Sequence, residues 1–126
     1  MKPETKFWHY VRDNFTDIKF TRIENLSAFG TPDLLCQNNK NNTFFTLELK
    51  VTRSNSVRLS PHQISFHIRH PVNTFILVQP LAASSSKLDE IRLYRGARCL
   101  QLATSGLQLA ACFSGLATVN QYLSNL

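Results

Sequence analysis

Between residues 43 and 51 the chain alternates, with Phe45, Leu47, Leu49 and Val51 apolar and Thr46, Glu48 and Lys50 polar. A period of two is that of a β-strand with one face buried, and it turns Glu48 and Lys50 to the same side with Cα atoms about 6.6 Å apart. Residues 3–14, followed by Phe15, carry Phe7, Trp8, Tyr10 and Val11 at spacings that line one helical face, with Pro3 tolerated in the first turn. Residues 18–23 are β-branched and aromatic with strand periodicity. The small, polar stretch 25–31, with Gly30 near its end, bends the chain into a further strand over 33–36. The run Gln37-Asn-Asn-Lys-Asn-Asn42 has the composition of a hairpin turn and joins that strand to 43–51.

Residues 52–58 read as a mobile loop over a substrate. Next, Ser60-Pro61-His62-Gln63 predicts a helix start, with Ser60 as N-cap, Pro61 at N1 and Gln63 closing a capping box. The helix runs through Arg69 and ends near Pro71, and its His62 and His67 read as surface or partly buried histidines, lacking a metal-ligand pattern. Residues 74–78 predict a buried central strand, 91–94 a fifth strand, and Ser84-Ser85-Ser86-Lys87 a flexible connection. Residues 97–104 and 116–123 read as two helices, the second N-capped by Ser114. The interleaving predicts one mixed α/β domain over 1–126, with a core over about 3–80 and a C-terminal extension over about 88–126.

Composition narrows the partners. Fourteen Lys and Arg against eight Asp and Glu give a net charge of +6 and a pI near 9.6, favouring a polyanion such as nucleic acid. Lys50, Arg53, Arg58 and Arg69 cluster in sequence with little acidic interruption, as phosphate contacts require. Cys36, Cys99 and Cys112 form no CxxC pair and read as buried thiols of a reduced, cytoplasmic compartment. The first residues lack an apolar signal region, so the mature chain is expected to start there. After Arg98 no charged side chain occurs, and 99–119 is long enough to span a bilayer. Gln101, Thr104, Ser105, Gln108, Ser114 and Thr118 interrupt it, and Gly106 and Gly115 divide it, so it reads as core or dimer interface and no membrane partner is expected.

The chemistry-bearing residues are Gly30-Thr31-Pro32-Asp33 and, fifteen residues beyond Asp33, Glu48-Leu49-Lys50. A hairpin through residues 37–42 brings Asp33 alongside Glu48 and Lys50. Phosphodiester hydrolysis needs a hard cation, an activated water and stabilisation of developing charge. Mg²⁺ is commonly held by one or two carboxylates plus water and substrate phosphate, which Asp33 and Glu48 supply. Lys50 is a compact charge suited to the attacking water or to the pentacovalent phosphorus. Taken alone, Glu48 and Lys50 equally suit a surface ion pair of little energetic value.

In order and spacing, Pro32-Asp33 and Glu48-Leu49-Lys50 resemble the signature of the PD-(D/E)xK nuclease superfamily. With Leu59-Ser60-Pro61-His62-Gln63 they look most like its VRR-NUC and Holliday-junction-resolvase-like branches, small stand-alone members of which occur in phages. The resemblance implies a restriction-endonuclease-like core in the order α-β-β-β-α-β and a Mg²⁺-dependent DNA endonuclease, with Mn²⁺ substituting. It implies a metal held by Asp33, Glu48 and the Leu49 backbone carbonyl, with Lys50 and Gln63 catalytic. It also implies one more acid, which is either Glu4 in the first helix, slightly preferred, or Glu24 after the first strand. Arg53, Arg58, Ser60, His62 and Arg69 are the expected DNA contacts. A homodimer through the uncharged tail is expected, because one small site cuts one strand. With no separate base-reading module in the sequence, structure-selective cutting of branched DNA or nicking is favoured over site-specific, restriction-like or homing cleavage. The reading from another class is a non-catalytic DNA-binding module on the same fold.

Overall fold

The computed structural model describes residues 1–23, 30–81 and 90–126; Glu24 and the connection 84–87 therefore lie outside the described residues. Helix α1 (Pro3–Asn14) begins with Pro3, where a missing N–H leaves no helical bond unmade, and buries Phe7 and Val11. Strands β1 (Ile18–Arg22), β2 (Leu34–Asn38) and β3 (Phe44–Thr52) form an antiparallel meander. Helix α2 (Pro61–Arg69) then returns the chain so that β4 (Thr74–Pro80) lies parallel to β3. After β5 (Arg92–Arg95) come a 3₁₀ turn (Gly96–Arg98), α3 (Cys99–Ser105), a second 3₁₀ turn (Gly106–Gln108), β6 (Phe113–Ser114) and α4 (Leu116–Ser124).

The six strands lie side by side in chain order, antiparallel except for β3 with β4, so this is a mixed α/β fold with a mixed sheet flanked by helices. Alternation splits the core in two. Phe45, Leu47 and Leu49 of β3, with Phe75 and Leu77 of β4, pack with Phe7 and Val11 of α1 and Val119 and Leu123 of α4. Ile76, Val78 and Tyr94 face the other way, onto Ile64 of α2, Leu102 of α3 and Val57. β4 is buried along its whole length, as its unbroken apolar run predicts for a central strand.

Several expectations are corrected. The run 37–42 is shorter as a turn than its composition suggests: Gln37 and Asn38 continue β2, and Asn38 is fully buried. The Asn38 side chain donates to the carbonyls of Leu123 (3.3 Å) and Leu126 (3.1 Å) and accepts the Asn41 N–H (2.7 Å), tying the hairpin to the end of α4. Ser114 does not cap α4, because it pairs with Arg92 in β6 while Gly115, at φ 87°, occupies the cap position. His67 is fully buried, not superficial, and Cys112 is only partly covered, beside Arg95 Nη1 at 3.0 Å.

The loop after β3 is pinned, not loose. Thr52 Oγ1 donates to the Ser56 carbonyl (2.7 Å), and the Asn55 carbonyl accepts the Leu107 N–H (2.7 Å). Gly106 presses against Asn55 so closely that a Cβ there would collide with its carbonyl. The tail is a working part of the core: Leu102, Val119 and Leu123 are fully buried, each worth about 1.5–3 kcal/mol of apolar burial. Among its described large apolar residues only Leu100 is exposed, so the uncharged composition reflects internal packing. No helix among the described residues is long and apolar enough to cross a membrane.

Candidate active site

Asp33 sits just before β2, where the register that pairs Leu34 with Leu47 puts it opposite Glu48. Its own carbonyl accepts the Ile23 N–H (2.8 Å), so the backbone is held from the β1 side. Across from it, the next partner of Leu49 is Pro32, which has no N–H to give. The Leu49 N–H is taken by Asp33 Oδ2 at 2.7 Å instead, and the register offers the Leu49 carbonyl no ladder donor. A proline before the aspartate thus frees a backbone oxygen beside two carboxylates.

Glu48 and Lys50 project from the same side of β3, and α2 supplies the residue that joins them. Ser60 caps the helix through its hydroxyl and the Gln63 N–H (3.1 Å), while Gln63 Oε1 accepts the Ser60 N–H (3.0 Å), completing the predicted capping box. That same Oε1 accepts from Lys50 Nζ at 3.0 Å, and Gln63 Nε2 donates to Glu48 Oε2 at 3.1 Å. The capping box therefore orients Gln63 as a bridge between acid and lysine. Lys50 Nζ lies 4.0 Å from Glu48 Oε2, and one bond to Gln63 leaves its other ammonium hydrogens for water or phosphate.

Glu48 is 3 % exposed, and its Oε1 is buried without a hydrogen-bond partner. Burial, the Asp33 charge and a hydrogen bond with Asp33 push its carboxyl up to about 9, against the opposing pull of Lys50. Two ionised carboxylates have no donor between them, so the hydrogen bond between Glu48 and Asp33 requires a proton on the pair. No family model matches this chain, and no curated protein matches its sequence.

Asp33, Glu48, Lys50 and Gln63 share a cleft of about 240 Å³ with Glu4, Trp8 and Arg22. Glu4 lines this cleft and adds to the field that raises Glu48, while Glu24 lies outside the described residues. Among the described residues no group of three or more His, Cys, Asp or Glu is placed to hold a metal. A cation here would rest on Asp33, Glu48 and the Leu49 carbonyl, with water completing the shell, a donor set that suits Mg²⁺. The unpartnered Glu48 oxygen is the observation that fits such an ion.

Arg53 and Arg58 line a second cleft adjoining the first, whereas Ser60 is the N-cap of α2 and His62 lies in its first turn. Arg69 is six residues beyond Gln63, about 9 Å along the helix, with Nε on the Ser65 carbonyl (3.4 Å), and lines neither cleft. Trp8, read from sequence only as part of an apolar helical face, and Arg22 are site residues that the sequence reading missed. Trp8 follows Glu4 by one helical turn and Arg22 ends β1, so spacing from the predicted acids is the signal that would have found them.

Proposed function

We propose that this chain is a Mg²⁺-dependent nuclease that hydrolyses DNA phosphodiester bonds in the manner of the PD-(D/E)xK superfamily, on a restriction-endonuclease-like core. The observation that carries the reading is the buried, unpartnered Glu48 oxygen opposite Asp33, with Lys50 held beside it by Gln63. The element order α1-β1-β2-β3-α2-β4 is the one such a core requires.

Asp33, Glu48 and the Leu49 carbonyl would hold the ion, which when bound neutralises the phosphate and acidifies water. Lys50 stands on the same face as the acids, with ammonium hydrogens available to orient the attacking water or stabilise charge on the phosphorus. Gln63 bonds both Lys50 and Glu48 and so links the two side chains. Glu4, exposed on the first turn of α1, stands at the mouth of the cleft. One site cuts one strand, so a homodimer is part of the reading only where two cuts are made; light scattering of the free and DNA-bound protein decides it.

Asp33→Asn tests the metal arrangement. With Mg²⁺ or Mn²⁺, wild type converts plasmid or branched DNA to cut products, and Asp33→Asn is slower by about 100-fold or more. Cleavage that survives EDTA, or an Asp33→Asn rate equal to wild type, contradicts the proposal.

A further inference from the structure

Beside the acidic cleft lies a wider one, about 530 Å³, and the two are joined at Glu4 and Lys50, which line both. Lys2, Arg53 and Arg58 form its exposed rim, and Val57 and Leu81 contribute a buried and a half-buried floor. None of these three cations has an ion-pair or hydrogen-bond partner for its side chain among the described residues. The loop that carries both arginines is fixed by Thr52, Ser54 and Ser56 and by the Asn55 carbonyl on the Leu107 N–H. The backbone positions of the two arginines are thus set before any ligand arrives.

Unpaired guanidinium groups above an apolar floor suit one polynucleotide strand, with phosphates on the cations and sugar or base on the floor. A cleft of this size belongs with pockets of ~300–1,000 Å³ that take one small ligand, so it accommodates a nucleotide unit of a single strand and is too small to enclose a duplex. We infer that this cleft binds the unpaired DNA strand leading away from the scissile phosphate, with Lys2, Arg53 and Arg58 on its phosphates. The position of the cut rests on the hydrolytic reading above; the binding does not.

The test is fluorescence anisotropy in EDTA, with a labelled single-stranded oligonucleotide and a blunt duplex of equal length. It compares wild type, Arg53→Ala/Arg58→Ala and Lys40→Ala, whose lysine instead faces Asp17 at 3.8 Å. Wild type should bind the single strand about tenfold or more tightly than the duplex. The double variant should lose about tenfold, its log–log salt slope becoming shallower by about 1.4, and Lys40→Ala should stay within about twofold of wild type. With no metal present, these outcomes are independent of whether hydrolysis occurs. Equal binding of duplex and single strand, or a double variant indistinguishable from Lys40→Ala, overturns the inference.

Discussion

A carboxyl that is 3 % exposed, beside a second carboxylate and with one oxygen lacking a donor, is costly to keep ionised; Glu48 is in that position. Folding raises its pKa from near 4.5 to about 9, so the metal-free folded chain keeps a proton that the unfolded chain has lost over that interval. Its stability contribution is fully present below about pH 4.5 and is lost as pH rises towards 9. A divalent cation bound at Glu48, as proposed, would have to displace that proton. Mg²⁺ affinity should therefore rise by up to about tenfold per pH unit between neutrality and pH 9, with proton release visible by calorimetry in buffers of different ionisation enthalpy. Glu48→Gln should abolish this dependence and raise metal-free stability at pH 8; an unchanged pH slope in that variant would refute Glu48 as the proton source. At this scale much was legible. Strand alternation aimed Glu48 with Lys50, and the proline before Asp33 marked the acid opposite. The Glu48 proton was not legible, because it depends on burial by residues distant in sequence. Glu4 lines the cleft, and Glu24 lies outside the described residues.

Helix α2 connects the site because its first turn is fixed from two directions. The capping box sets Gln63, and Gly30, at φ 81°, sits against the His62 backbone so tightly that a Cβ would strike the His62 carbonyl. Further along, the fully buried His67 donates from Nδ1 to the Gln63 carbonyl (2.8 Å), and burial lowers its pKa, favouring the neutral ring. Gly30→Ala should cost about 1–3 kcal/mol in urea unfolding, from left-handed strain and the clash. It should also reduce cleavage, since moving the first turn of α2 moves Gln63 away from Glu48 and Lys50; full stability and activity would show that the contact is dispensable. The capping box was readable because its determinants lie three residues apart. Gly30 was readable only as a bend, since its partner in α2 is some thirty residues away. Asn38 and Ser114 were misread for the same reason: turn and cap propensities gave way to the end of α4 and to pairing with β5.

Across the whole molecule, the charge of +6 is organised, with Lys2, Arg53 and Arg58 beside a cleft that contains the paired acids. Composition favoured a polyanionic partner but could not give this placement, which follows from the start of α1 meeting the loop after β3. The order of helices and strands was legible from periodicity; the sequential six-strand order and the small β6 were not, because strand pairing is non-local. The uncharged tail read as core or dimer interface because apolar composition cannot distinguish an outer face from a core, and Leu102, Val119 and Leu123 of α3 and α4 are buried in the core. The most direct test of the account is single-turnover cleavage of duplex, single-stranded, flap and four-way-junction DNA by wild type and Lys50→Ala, with Mg²⁺ or with EDTA. The account predicts Mg²⁺-dependent cutting by wild type, most rapid where an unpaired strand flanks the cut, no cutting in EDTA, and a loss of about 100-fold or more in Lys50→Ala. Equal cleavage by Lys50→Ala, or cleavage indifferent to EDTA, would contradict it.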